Sequence, residues 1–117
     1  MNRLELSPEA RFDELVATLV NTEGVAPPEP GQSNRFGSSG LKVHGKIFAM
    51  LVRDRLVVKL PRRRVDALVS SEHGERFDPR HDGRLMREWL VLAPTSDLDW
   101  LMLATQALEF VGGVPGR

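Results

Sequence analysis

Residues 41–60 read LKVHGKIFAMLVRDRLVVKL and decide the fold. Three apolar runs alternate with two short breaks, His44–Gly45 and Arg53–Asp54, which are typical of turns between strands. Connections this short leave no room for a helical crossover, so neighbouring strands must pair antiparallel. The stretch predicts a three-stranded meander over Leu41–Val43, Lys46–Val52 and Arg55–Leu60.

The middle strand of this meander is apolar on both sides. Side chains alternate between the two faces of a strand. Alternation places Phe48, Met50 and Val52 on one face and Ile47, Ala49 and Leu51 on the other. We therefore expect this strand to be central in the sheet and covered on both faces.

A helix is predicted before the meander, from Pro8 to about Thr22. Ser7 is a favourable N-cap and Pro8 suits the first helical position. Phe12, Leu15, Val16 and Leu19 recur at helical spacing, and Gly24 is the expected stop signal. The following segment, Ala26–Ser39, holds three prolines and is predicted to be a loop, with a short edge strand over Gln32–Phe36.

Two more helices are predicted after the meander. Pro61 opens the second, which places Arg62, Arg63 and Arg64 in its first turn, and Gly74 ends it. Glu75–Arg87 is polar and predicted to be irregular, and Glu88–Leu92 is predicted to be a strand. The third helix is expected from Ser96 to about Val111. Its faces are formed by Leu98, Leu101, Leu108 and Val111, and by Trp100, Leu103, Ala107 and Phe110.

These elements predict an α+β fold, an antiparallel sheet flanked by N-terminal, middle and C-terminal helices. The chain has 117 residues, of which 41% are apolar and 27% charged, and this fits one domain over residues 1–117. It has no cysteine, so disulfides and thiolate chemistry are excluded. Its polar N-terminus lacks a signal-peptide stretch and no run is long enough for a membrane span, so we expect a cytoplasmic protein.

The formal net charge is zero, which argues against a strongly basic nucleic-acid binder. The charges are nevertheless uneven along the chain. Arg53–Glu88 contains ten basic and seven acidic residues, a net charge of +3. This asymmetry matters for function only if the fold gathers the basic side chains on one surface.

The pattern Phe36-Gly37-Ser38-Ser39-Gly40-Leu41, followed by Gly45-Lys46-Ile47-Phe48-Ala49, resembles the N-terminal domain of TfoX/Sxy-type proteins. Leu56–Leu60, Arg76–Phe77 and Met86–Trp89 are similar to that family's third strand, later loop and later strand. The resemblance implies a stand-alone member of a bacterial family of competence regulators. The architecture is also similar to MmcQ/YjbR-type proteins, for which DNA binding has been suggested. No catalytic residues are implied.

The strongest candidate site is a basic one, formed by Arg53, Arg55, Lys59, Arg62, Arg63 and Arg64. A helix N-terminus attracts anions, and arginines add bidentate contacts to phosphate. The alternative is a solvated helix face whose arginines pair with Asp66 and Glu72. Arginines at a helix N-terminus oppose the helix dipole, which is a weak indication of function.

Other sites are less favoured. Gly37–Gly40 lacks the spacing and lysine of a P-loop, so it is expected to position Phe36 against the core, or else to cover a small-ligand pocket. His44, His73 and His81 lack metal-ligand spacing, and Ser70, Ser71 and His73 resemble no nucleophile elbow. We expect no metal, no cofactor and no enzymatic activity.

The sequence therefore favours a non-enzymatic binding module whose partner is DNA or another regulatory protein. The first hypothesis is phosphate contact through the basic residues. The second is protein interaction or homodimerisation through the exposed part of the last helix, around Trp100, Leu103 and Phe110.

Overall fold

Six strands form one antiparallel sheet in the computed structural model, within the residues that it describes, 7–27, 40–77, 86–93 and 96–113. Their order across the sheet is β1-β2-β3-β4-β6-β5. With three helices, the chain has the α+β class that the sequence predicts. The strands are β1 (Val25–Ala26), β2 (Leu41–Val43), β3 (Lys46–Val52), β4 (Arg55–Lys59), β5 (Gly74–Phe77) and β6 (Met86–Leu92).

The helices are α1 (Pro8–Leu19), α2 (Arg62–Ser70) and α3 (Trp100–Gly112). The Ser7 hydroxyl caps α1 by accepting a hydrogen bond from the Ala10 amide at 3.1 Å, as predicted. None of the helices in the described part of the chain has the length and apolarity needed to cross a membrane.

The predicted helix ends differ from the observed ones. α1 stops at Leu19, before Thr22, because the chain turns into β1 at Val25. α3 begins at Trp100 and not at Ser96, because the Asp99 carboxylate caps it by accepting a hydrogen bond from the Leu101 amide at 2.8 Å.

Two strands were not predicted. β1 is only two residues long, and β5 lies in the segment that was expected to be irregular. Gly74, expected to end α2, instead begins β5, and α2 ends at Ser70. Short edge strands lack the apolar alternation that marks a strand in sequence. The edge strand expected over Gln32–Phe36 lies outside the described residues.

All three helices pack on one face of the sheet, here called the inner face. Its core is a cluster of nineteen buried residues among those that the structure describes. The strands contribute Leu41, Val43, Phe48, Ala49, Leu56, Val58, Leu90 and Leu92. Fully buried aliphatic side chains each contribute about 1.5–3 kcal/mol of hydrophobic free energy. The opposite, outer face carries a smaller cluster of Met50, Val57, Phe77 and Val91, with Ile47, Val52 and Trp89 partly buried beside it.

A β-bulge in β3 changes which side chains face the core. Leu41 pairs with Ala49, whereas the next residue, Lys42, pairs with Ile47, so Phe48 is the extra residue. Phe48 and Ala49 both enter the inner core, while Ile47 joins the outer cluster. The strict alternation predicted from the sequence is therefore wrong at Ile47 and Phe48. The central position of β3 is confirmed.

The β3–β4 turn gives a pH-dependent contact. Asp54 has a φ of 67° there, and its side chain hydrogen bonds to Glu9 in the first turn of α1. That hydrogen bond and the repulsion between the carboxylates raise the pKa of Asp54. The pKa of Glu9 is lowered, first by its backbone hydrogen bond at the helix start and then by Asp54. Protonation of Asp54 therefore relieves the repulsion between the two carboxylates.

We predict that Asp54→Asn stabilises the protein at neutral pH. The amide keeps a hydrogen-bond donor toward Glu9 and removes the repulsion. Because a raised carboxyl pKa means that the folded state favours the protonated form, the wild type recovers this stability as the pH falls through the pKa of Asp54. Urea unfolding at neutral and acidic pH should show a gain that disappears on acidification. A gain that persists in acid would instead come from the tolerance of asparagine for positive φ.

Candidate nucleic-acid interface

The pairing of β4 with β6 brings Lys59 opposite Trp89 on the outer face of the sheet. The Leu60 amide donates a hydrogen bond to the Glu88 carbonyl at 2.9 Å, which holds the end of β4 against β6. The Lys59 Nζ lies 5.8 Å from the centroid of the Trp89 ring. This distance is at the outer limit of about 6 Å for a cation–π contact, so the ammonium is only weakly held.

Two arginines complete an open groove around this pair. Arg87 precedes Trp89 by two residues on β6, where the register with β5 is irregular, and it lines the same groove as Trp89. Arg62 follows β4 and stands in the first turn of α2. With Glu88, these four side chains line a groove of about 410 Å³, here called the basic groove. Ligand sites typically have volumes of about 300–1,000 Å³.

The basic groove is electropositive. Three of its described lining residues are cationic and one, Glu88, is acidic. Arg62 and Arg87 are exposed, and neither has an ion-pair partner among the residues that the structure describes. Cations without protein partners remain free to bind phosphate oxygens.

The three arginines at the start of α2 take different roles. Arg62 lines both the basic groove and an adjoining hollow, whereas Arg63 lines only the hollow, with Pro61 and Asp66. The Arg64 Nε donates a hydrogen bond to the Gln106 side chain on α3 at 3.2 Å. Asp66, considered from the sequence as a partner for them, instead binds Arg76 at 2.6 Å. Arg62 and Arg63 are therefore exposed beside the groove, and Arg64 joins α2 to α3.

The hairpin arginines lie apart from the basic groove. Arg53 is at the β3–β4 turn, six residues before Lys59, which is roughly 20 Å along an extended strand. The Arg55 Nε donates a hydrogen bond to the Leu92 carbonyl at 3.0 Å, and its Nη2 lies 3.7 Å from the Glu75 carboxylate. The structure therefore does not bring these two arginines together with Lys59 and Arg62.

The glycine loop is described only in part. Phe36 and Gly37 lie outside the described residues. Gly40 is buried, and a Cβ atom there would lie 2.8 Å from Ile47 Cγ2, beside the β3 bulge. Gly45 has a φ of 81° in the β2–β3 turn, and Lys46 is exposed at the start of β3. Gly40 and Gly45 thus have structural reasons for lacking a side chain.

The last helix presents less surface than its sequence indicates. Leu103 is fully buried and Trp100 is 8% exposed, because both pack in the inner core. The Arg11 guanidinium covers the Trp100 ring at 4.0 Å. Of the three residues assigned to a partner surface, only Phe110 is exposed. The cavity beside Trp100 has a volume of about 60 Å³, too small for a drug-sized ligand.

The histidines are placed without metal-binding geometry in the described residues. His44 lies in the β2–β3 turn against Gly24, and the His73 Nδ1 is 3.0 Å from the Ser96 hydroxyl. His81 lies outside the described residues. Within the described part of the chain, no group of three or more histidine or acidic side chains is arranged to hold a metal ion.

Arg87 and Trp89 are the groove residues that sequence reasoning missed. Trp89 falls in the strand predicted over Glu88–Leu92 and was given no part in a site, and Arg87 falls in the segment predicted to be irregular. Their closeness in sequence was a usable signal, because Arg87, Glu88 and Trp89 all line the groove. Their position beside Lys59 depends on the pairing of β6 with β4, which the sequence does not encode locally.

Comparison of the chain with protein-family models, with curated proteins and with solved structures finds no match. The resemblance to TfoX/Sxy-type proteins therefore stays a prediction. The functional assignment rests on the side chains of the basic groove.

Proposed function

We propose that this protein is a binding module that holds nucleic acid through phosphate contacts in the basic groove. The observation that carries the proposal is the convergence of Lys59, Arg62 and Arg87 on one groove, in which both guanidinium groups are exposed and have no ion-pair partner among the described residues. A bacterial regulatory role, which the TfoX/Sxy resemblance implies, belongs to the same proposal.

The position of Arg62 supports anion binding. It lies in the first turn of α2, whose N-cap residue is Pro61 and which has no side-chain cap among the described residues. The free N–H groups of a helix start carry a partial positive charge of about +0.5. An arginine there adds to this potential, whereas folding alone would favour an acidic residue.

The number of cations limits the affinity. Each phosphate contact contributes about 0.7–0.9 to the slope of log affinity against log salt concentration. Three groove cations on a protein of zero net charge therefore predict modest, salt-sensitive binding and not the steep dependence of a basic duplex binder.

The test is fluorescence anisotropy of labelled single- and double-stranded DNA across a salt series. Arg62→Glu/Arg87→Glu should weaken binding about ten-fold or more and lower the salt slope by about 1.4–1.8, the loss of two phosphate contacts. The variant should remain folded, because both side chains are exposed and an acidic residue suits the first turn of α2.

A single charge reversal in the groove, Arg87→Glu, is compared with Arg53→Glu, a control charge reversal outside the groove. Both replace an exposed arginine, and only Arg87 lines the basic groove. Equal losses from the two variants would show that net charge alone matters and would contradict the groove. Absence of binding by the wild type at low salt would reject nucleic acid as the ligand.

A further inference from the structure

The basic groove has an aromatic wall as well as cations. Trp89 is only partly buried and lines the groove between Lys59 and Arg87. It lies on the outer face of the sheet, opposite the three helices. Stacking of nucleobases on an exposed aromatic ring, beside cations that hold the backbone, is the usual way in which proteins bind single strands.

From this arrangement we infer that the ligand is single-stranded nucleic acid and that one base stacks on Trp89. The inference rests on the proposed function, because the cations that hold the phosphates are the same. A duplex does not expose the faces of its bases to such a ring, whereas the bases of a single strand are available.

Lys59 takes part in both the base stack on Trp89 and the phosphate contact. Its ammonium lies 5.8 Å from the centroid of the Trp89 ring, on the face that a base would use. A base that stacks on this face displaces the ammonium, which then lies within reach of the adjacent phosphate. The four-carbon stem of lysine permits this movement, and the exchange replaces a weak cation–π contact by a charge–charge contact.

The magnitudes favour a contribution from stacking. Non-specific phosphate contacts alone give dissociation constants of about 10⁻⁴–10⁻⁶ M at physiological salt, and this groove offers only three cations. One stacked base strengthens binding roughly ten- to a hundred-fold. A single tryptophan therefore suffices to make the groove discriminate between a single strand and a duplex.

The experiment compares four probes: oligothymidine, oligouridine, an abasic strand of the same length and a DNA duplex. Oligothymidine should bind roughly ten- to a hundred-fold more tightly than the abasic strand, because only the base stack differs. Tryptophan fluorescence should be quenched on binding. Oligouridine should also bind more tightly than the abasic strand, because its bases stack on the ring in the same way.

Trp89→Leu should remove the quenching and reduce oligothymidine affinity to that of the abasic strand. Trp89→Phe should restore part of the affinity, because a smaller ring still stacks. Phe110→Leu is the control, since this exposed aromatic residue lies on α3. Urea unfolding of each variant separates loss of binding from loss of folding.

Different results would overturn phosphate binding in the basic groove and base stacking on Trp89. Base stacking is overturned if the abasic strand binds as tightly as oligothymidine, or if Trp89→Leu leaves binding unchanged. In either case, a loss of affinity in Arg62→Glu/Arg87→Glu would still support the phosphate site. Tighter binding of the duplex than of oligothymidine also overturns base stacking. If no probe binds at low salt, the proposed function fails and stacking fails with it.

Discussion

Phe48→Ala is expected to reduce the free energy of unfolding by about 3–5 kcal/mol, the usual cost of removing a buried phenylalanine. Phe48 is fully buried in the inner core, where the β3 bulge has turned it toward the helices. The substitution leaves a cavity in the inner core beneath β3, where the neighbouring backbone is fixed by its hydrogen bonds. Urea unfolding of the purified variant measures the loss.

Ile47→Ala is the matched control on the same strand. Ile47 lies on the outer face and is only partly buried. Removing three carbons at about 0.8 kcal/mol per buried methylene, with much of the side chain already in water, should cost about 1 kcal/mol. Similar losses at Ile47 and Phe48 would mean that the bulge does not separate the two side chains as described.

Gly74→Ala is expected to destabilise the protein by about 2–3 kcal/mol or more, within or above the usual range for overpacking. A Cβ atom there would lie 2.5 Å from the Val91 carbonyl oxygen and 2.9 Å from Leu90 Cδ1. The side chain of Leu90 has alternative rotamers, but the carbonyl belongs to β6 and cannot move without disturbing its pairing with β5. Urea unfolding and amide exchange along β5 and β6 measure the effect.

Gly45→Ala is the control, because it measures the cost of backbone strain at a glycine where an added Cβ atom meets no steric clash. Gly45 has a φ of 81°, but no atom lies within 4 Å of a Cβ placed there. Its substitution should therefore cost only the conformational penalty of about 1–2 kcal/mol. A smaller loss at Gly74 than at Gly45 would show that β5 can move away from β6 without cost.

The predicted meander is confirmed because local signals specify it. His44–Gly45 and Arg53–Asp54 both adopt positive φ in two-residue turns, and the apolar runs beside them are long enough to be strands. The Ser7 cap and the stripe of Phe12, Leu15 and Leu19 likewise identify α1. In each case neighbouring residues contain the whole signal.

The candidate site required more than local signals. Three consecutive arginines look alike in sequence, but the fold directs Arg62 to the groove, Arg63 to an adjoining hollow and Arg64 to Gln106. Which arginine faces which neighbour depends on the packing of α2 against β6 and α3. Arg87 lies on a strand twenty-five residues later, so the sequence around Arg62 does not indicate that the two arginines meet.

The sequence by itself determined the class of the fold, the three helices and the central hairpins, because these follow from turn chemistry, caps and periodicity within a few residues. The tertiary structure alone decided the bulge that buries Phe48, the edge strand β5 and the meeting of Lys59, Arg62, Arg87 and Trp89. These features arise where distant segments pair, and pairing is set by the free energy of the whole sheet and its core, not by any local run of residues.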